Sequence, residues 1–186
     1  MANVKMSFIG LLDMLRFKNM KVQRDKIIES TPVSALVENY ASNLNAAARH
    51  PLSQTFTIED IKVRGKGDVR TYTLRRNDGQ NPAFFRAGQF VVIRQKIDGK
   101  LIARPVTLSC GPSMTLEGKV QLTVKRVEQD AFLSAYIHEN WKVGDTVGTS
   151  GPLGTFFYEP LRDAKKVVAI AGGSGITPVY AMANAI

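Results

Sequence analysis

Cysteine is almost absent from this sequence: Cys110 is the only one in 186 residues. That excludes an internal disulfide and any cysteine-built metal or iron–sulfur site within the chain. Histidine is nearly as scarce, and His50 and His138 stand far apart with no ligand spacing around either, so no metal ligand is assigned. No apolar run reaches the ~20 residues that a membrane-spanning helix needs. Met6–Leu15 is broken by Asp13 and lacks a small-residue cleavage site, which argues against a signal peptide. There is no internal repeat and no low-complexity tract. These absences together point to the cytoplasm.

What the chain does have is ordinary globular content, 44% apolar and 22% charged, with a marked cationic excess. Twenty-five Lys and Arg against 16 Asp and Glu give +9, a sign that favours anionic partners. The cations are dispersed, with only short pairs such as Arg75-Arg76 and Lys165-Lys166. A nucleic-acid surface would want a basic stripe interleaved with aromatics, so no nucleic-acid partner is expected. The length suits one packed domain with an appendage.

Three textures follow one another. Residues 1–50 read as a helical extension: Phe8, Leu11, Leu12 and Leu15 recur at helical spacing, and a second helix is expected from Thr31-Pro32 to just before Pro51. Residues 51–162 change to a period of two. "TFTIEDIKV", "RTYTLRR", "GQFVVIRQK", "RPVTLSC", "KVQLTVKRV" and "DTVGTSGP" are short strands parted by turns such as Asn77-Asp78-Gly79 and Asp98-Gly99. Such a series predicts a mainly β fold, a small antiparallel barrel or sandwich. One helix interrupts it, "DAFLSAYIHENW", with Asp130 as N-cap and Phe132, Tyr136, Ile137 and Trp141 on its apolar side. Core packing is expected for Trp141 and a surface or capping place for His138. Residues 163–186 then read as a truncated α/β unit. The run Val167–Ala171 predicts a strand buried on both faces, followed by a glycine turn and a helix with Thr177 as cap and Pro178 at its first position.

Two features carry chemistry. Gly172, Gly173 and Gly175 allow close approach of a ligand to the backbone, and a helix N-terminus behind them suits a pyrophosphate. A plain tight connection explains them equally well, and Pro178 stands where the dinucleotide fingerprint wants its third glycine. Arg104 and Thr107, in "ARPVTLSC", can bind phosphate and a heterocycle edge, or serve simply as strand residues. Alternation sends Arg104 and Val106 to one face and Thr107 to the other. Cys110 follows this strand, either near a ligand or as a buried, unreactive thiol.

The order of motifs goes further. "FRAGQF" (Phe85–Phe90), "RPVT" (Arg104–Thr107), "LTVKRV" (Leu122–Val127), "FLSAYIH" (Phe132–His138), "VGDTV" (Val143–Val147), "GPLGTF" (Gly151–Phe156) and "GGSGITP" (Gly172–Pro178) resemble the ferredoxin–NADP reductase family. The resemblance implies an FAD-binding barrel followed by the first strand and helix of an NAD(P)-binding domain. On it, Arg104 would hold the flavin phosphates and Thr107, the one residue assigned to the chemistry, would hydrogen-bond near the flavin N5. Pro105 lies between them, and Val106 replaces the family's usual tyrosine against the ring. Val124 and Lys125 would run along the ribityl–phosphate chain. Phe132, Leu133 and Ser134 would bring a helix N-terminus to the pyrophosphate, with Asp130-Ala131 replacing the family's frequent Gly-Gly. Gly172, Gly173, Gly175 and Thr177 would face the nicotinamide nucleotide. The turn at Gly151–Phe156 reads either as a flavin contact or as a tight turn that closes the barrel.

The function implied is an NAD(P)H-dependent oxidoreductase passing electrons through FAD to an iron–sulfur or other carrier protein. His50-Pro51 after an extension is similar to bacterial reductases that carry a C-terminal [2Fe–2S] domain. The chain thus looks like a flavin domain whose partner domain is cut off soon after it begins. Little activity with NAD(P)H, and dimerisation through the exposed strand Val167–Ala171, are expected of it. The stripe Phe8–Leu15, flanked by Lys5, Arg16, Lys18 and Lys21, can lie on a membrane surface or dock against protein. The rival reading is a flavin-free barrel that docks an acidic partner protein.

Overall fold

The computed structural model describes residues 8–30, 40–127 and 132–185. It divides into two units, one up to Tyr40 and one from Ala41 onward. The first contains helix α1 (Phe8–Ser30). Its apolar side chains Leu12, Met14, Leu15, Phe17, Met20, Ile27 and Ile28 are all exposed and lie on every side of the helix. The one-sided stripe expected from Phe8–Leu15 is therefore not continued. No helix among the described residues is long and apolar enough to cross a membrane. Most of the second expected helix before Tyr40 lies outside the described residues. Its last part is α2 (Ala41–Arg49), which stops ahead of Pro51 and falls within the barrel unit.

The barrel strands are β1 (Ser53–Arg64), β2 (Val69–Arg76), β3 (Phe90–Ile97), β4 (Lys100–Thr107), β5 (Lys119–Lys125) and β6 (Thr146–Ser150). All named pairings are antiparallel, in the order β4-β3-β6-β1-β2-β5. The two edges meet at a single bridge, Leu108 to Leu122, reinforced by Ser109 N donating to Gln121 O at 2.8 Å. A mainly β half-closed barrel results, as expected from the period of two. Alternation fills it: Val120, Leu122 and Val124 of β5 point inward with Phe56, Ile58, Tyr72, Leu74, Val91 and Ile93.

Helix α3 (Phe132–Asn140) covers one end through Leu133 and Ile137, followed by Trp141. Its expected cap Asp130 lies outside the described residues. Trp141 meets Tyr72 edge to face at 5.3 Å, and the Tyr72 hydroxyl donates to Ile137 O, while burial pushes that phenol above its ordinary value. His138 is buried, not on the surface as expected, because the Val124 carbonyl gives its ring a partner.

Two glycine motifs prove structural. A Cβ on Gly151 would lie 2.1 Å from Pro51 O, and one on Gly88, at φ +104, would lie 2.2 Å from Phe156 O. Leu153 exchanges both backbone hydrogen bonds with Phe90, so the Gly151–Phe156 turn does close the barrel edge. Beyond Asp163 the expectation fails. Val167, Val168 and Ile170 are exposed and form no strand, because no described strand lies beside them to pair with. Helix α4 (Ile176–Ala183) forms, but Gly175 precedes it and Thr177 lies inside it without a capping bond.

Truncating Trp141 to alanine removes the aromatic seal between α3 and Tyr72. The expected loss is about 3–5 kcal/mol of unfolding free energy, read from urea midpoints at unchanged m-value.

Candidate functional site

Beyond the Leu108–Leu122 bridge, β4 and β5 part. Pro105 has no N–H to donate and belongs on an edge strand, and it sits in the diverging stretch of β4. The wedge between the strands is a cleft of about 780 Å³. Pro105, Val106 and Thr107 form one wall and Thr123, Val124, Lys125, Arg126 and Val127 the other. Gly173, Ser174 and Thr177 close a third side. Val106 and Thr107 both reach it, although alternation separates them, because the cleft opens at the strand's end rather than on one face.

The walls differ in character. Val106 packs against the core, giving an apolar floor, while Thr107, Thr123, Ser174 and Thr177 offer hydroxyls. Thr123 Oγ1 also donates to Ser109 Oγ at 2.9 Å and pairs with Thr71 Oγ1 at 3.1 Å, so that hydroxyl is fixed from behind. Two cations stand at the far wall. Lys125 lies 3.5 Å from Asp68, both side chains being largely exposed, and Arg126 donates to Glu139 at 2.8 Å. Neither pair is buried, so both cations stay available to an anion.

Of the residues expected from sequence, the cleft gathers Pro105, Val106, Thr107, Val124, Lys125, Gly173 and Thr177. Others stand off it. Arg104 is exposed on β4, its Nη1 donating to the Ala103 carbonyl at 2.9 Å. Leu133 is buried in the core, and Ser134 Oγ accepts from Val127 N at 3.3 Å, holding the cleft's far wall. Phe132 begins α3. Gly172 and Gly175 are exposed and do not line the cleft. Thr123, Arg126, Val127 and Ser174 line it too, and each lies within two residues of an expected one in "LTVKRV" or "GGSGITP".

Cys110 is buried beside this region, its Sγ accepting from Gln121 N at 3.2 Å. Burial pushes its thiol up to about 11. Among the described residues no group of His, Cys, Asp and Glu could hold a metal ion.

Residues 56–158, more than half of the chain, match the family described as the oxidoreductase FAD-binding domain. A glycine betaine monooxygenase reductase subunit of Chromohalobacter salexigens is 37% identical over 62% of this chain and 30% of its own length. A flavohemoprotein of a Burkholderia species is 33% identical over 67% of this chain and again 30% of its own. The chain thus spans about a third of these relatives. Among solved structures, the FAD/NAD-binding domain of a Vibrio cholerae nitric oxide dioxygenase is similar at TM-score 0.61 and 29% identity, over 70% of this chain and 55% of that one. Phthalate dioxygenase reductase shares the fold at TM-score 0.62 and 22% identity, over 72% and 39%.

The raised thiol pKa keeps Cys110 protonated at pH 8, so native protein is expected to resist aromatic disulfide reagents. Denaturant should release one reactive thiol per chain, counted by absorbance.

Proposed function

The chain belongs to the oxidoreductase FAD-binding domain family, and we propose that the β4–β5 cleft holds FAD in a reductase that passes electrons from NAD(P)H to an iron–sulfur or other carrier protein. The observation that carries this reading is the meeting of three distant stretches, Pro105–Thr107, Val124–Lys125 and Gly173–Thr177, around one cleft. Those are positions that the resemblance assigns to the flavin and the nicotinamide nucleotide. The family relation to a monooxygenase reductase subunit supports the class of acceptor.

The residues suit the group. A volume of about 780 Å³ lies within the range of cofactor sites. When bound, FAD supplies the exchange between a hydride donor and single-electron carriers. Val106 presents an apolar surface to the ring, and the Thr107 hydroxyl hydrogen-bonds its polar edge. Lys125 meets the phosphate-bearing chain as a cation. Arg104, held only by a neighbouring carbonyl and exposed to water, turns to the phosphates at little cost. Helix α3 lends the positive end of its dipole on the Ser134 side. The net charge of +9 draws in the anionic cofactor.

On the nicotinamide side, Gly172 and Gly175 are exposed and Val167–Ile170 has no sheet to stand on. A protein of residues 1–186 is therefore expected to take up FAD yet reduce it slowly with NADH or NADPH.

The first test is the visible spectrum of the purified chain after incubation with FAD. Flavin bands near one FAD per chain are expected, and a colourless protein that refuses FAD would refute the reading. Arg104→Ala should raise the FAD dissociation constant on the order of tenfold or more, the loss of a charge-assisted bond, while unchanged affinity removes Arg104 from the site.

A further inference from the structure

The far wall of the cleft is held by a residue that the proposed function leaves unused. Strands β2 and β5 place Arg70 opposite Val124. Both members of that pair bind the same residue of α3. The Val124 carbonyl lies 2.9 Å from His138 Nε2, and Arg70 Nη1 donates to the His138 carbonyl at 2.6 Å. A carbonyl only accepts, so His138 must carry its proton on Nε2. His138 is 5% exposed, and the ring has no route to trade this bond for one with water.

What lies beyond Val124 makes the grip consequential. Lys125, Arg126 and Val127, the next three residues, all line the cleft. They sit where the β5 ladder runs out: Arg126 N donates to Asp68 O at 2.7 Å, and the following amide, Val127 N, turns to Ser134 Oγ on α3. The Arg126 guanidinium reaches Glu139 on the same helix at 2.8 Å. The wall therefore follows α3, and α3 is locked to the β2–β5 pair at both polar ends of His138. A strand end left to itself frays; one tied through a buried bond does not.

We propose that His138 is a positioning residue, which fixes Lys125–Val127 against α3 and thereby sets the shape of the cleft wall on which FAD affinity depends. This rests on the reading that the cleft holds FAD, so the test has one readout that involves flavin and one that does not. His138→Phe keeps an aromatic ring but cannot donate, and His138→Gln carries an amide N–H near the place of Nε2.

In flavin-free protein, His138→Phe should speed hydrogen exchange at the Arg126 and Val127 amides about tenfold, as the loss of one hydrogen bond implies, with the β1 and β6 amides unchanged. The FAD dissociation constant should rise by a similar factor. His138→Gln should restore both to within about threefold of wild type. Wild-type exchange in His138→Phe would overturn the proposal whether or not the chain binds flavin. Equal weakening in both variants would also overturn it, since side-chain shape rather than the bond would then be responsible. If accelerated exchange left FAD affinity at the wild-type value, the link to the cofactor would fall. Should His138→Phe not fold, His138→Asn, whose amide is too short to reach Val124 O, takes its place under the same outcomes. If the wild-type chain refuses FAD, the functional reading fails, and the exchange arm still decides whether His138 fixes the wall.

Discussion

Strands β4 and β5 touch at one bridge, Leu108 to Leu122, and separate immediately beyond it. A barrel sealed by many bridges would have a filled end and no room between its edge strands. One sealed by none would expose Leu108 and Leu122, which are instead almost completely buried. A single point of closure satisfies both demands. The hydrophobic core is shut on one side of it, and on the other a wedge opens whose walls inherit the stiffness of the sheet. The residues that β4 and β5 bring to the mouth of the wedge need no loop to position them, because each is within two steps of a hydrogen-bonded ladder.

The wedge is held open by what surrounds it. Helix α3 fastens the β5 wall through the Arg70–Val124 pair, and α4 approaches the opposite side closely enough that Gly88 and Gly111 face Met182 and Asn184. At Gly88 a side chain would meet backbone, which cannot swing aside, so the absence of a Cβ there is a condition of the packing. Ion pairs on the outer surface add local order of a weaker kind. Glu59, beside the β1 bulge, is held below its ordinary value by Lys119 and then Arg75, tying β1 to β2 and β5.

How much of this was legible in the sequence depends on what kind of partner each residue has. Val120, Leu122 and Val124 alternate with Gln121 and Thr123, so β5 and its inward face could be read directly. Thr107 and Lys125 were found through their motifs. His138 was not, because its partner is a backbone carbonyl, and no spacing of side chains announces that. The same reason explains the failure at Val167–Ala171. An apolar run reports a preference for burial, whereas a strand also needs a neighbour to bond, and none of the described strands provides one. Arg104 marks the opposite limit: its place on β4 was correct, but a long exposed side chain takes its final position only from what it binds.

The sheet order carries a consequence for how the chain is made. β6 is the last of the described strands in sequence, yet it lies between β3 and β1, near the middle of the sheet. As the polypeptide emerges during synthesis, β1–β2 and β3–β4 can form as separate hairpins, since each pairs neighbours in the chain. Until Thr146–Ser150 arrives to bond both, the halves are joined only by way of β5, at the bridge from Leu108 to Leu122. Until then Phe56 and Ile93 stand on strands that no ladder joins, and the facing edges of β1 and β3 stay open. Chaperone contact during that interval would fall on the two edges that β6 later fills.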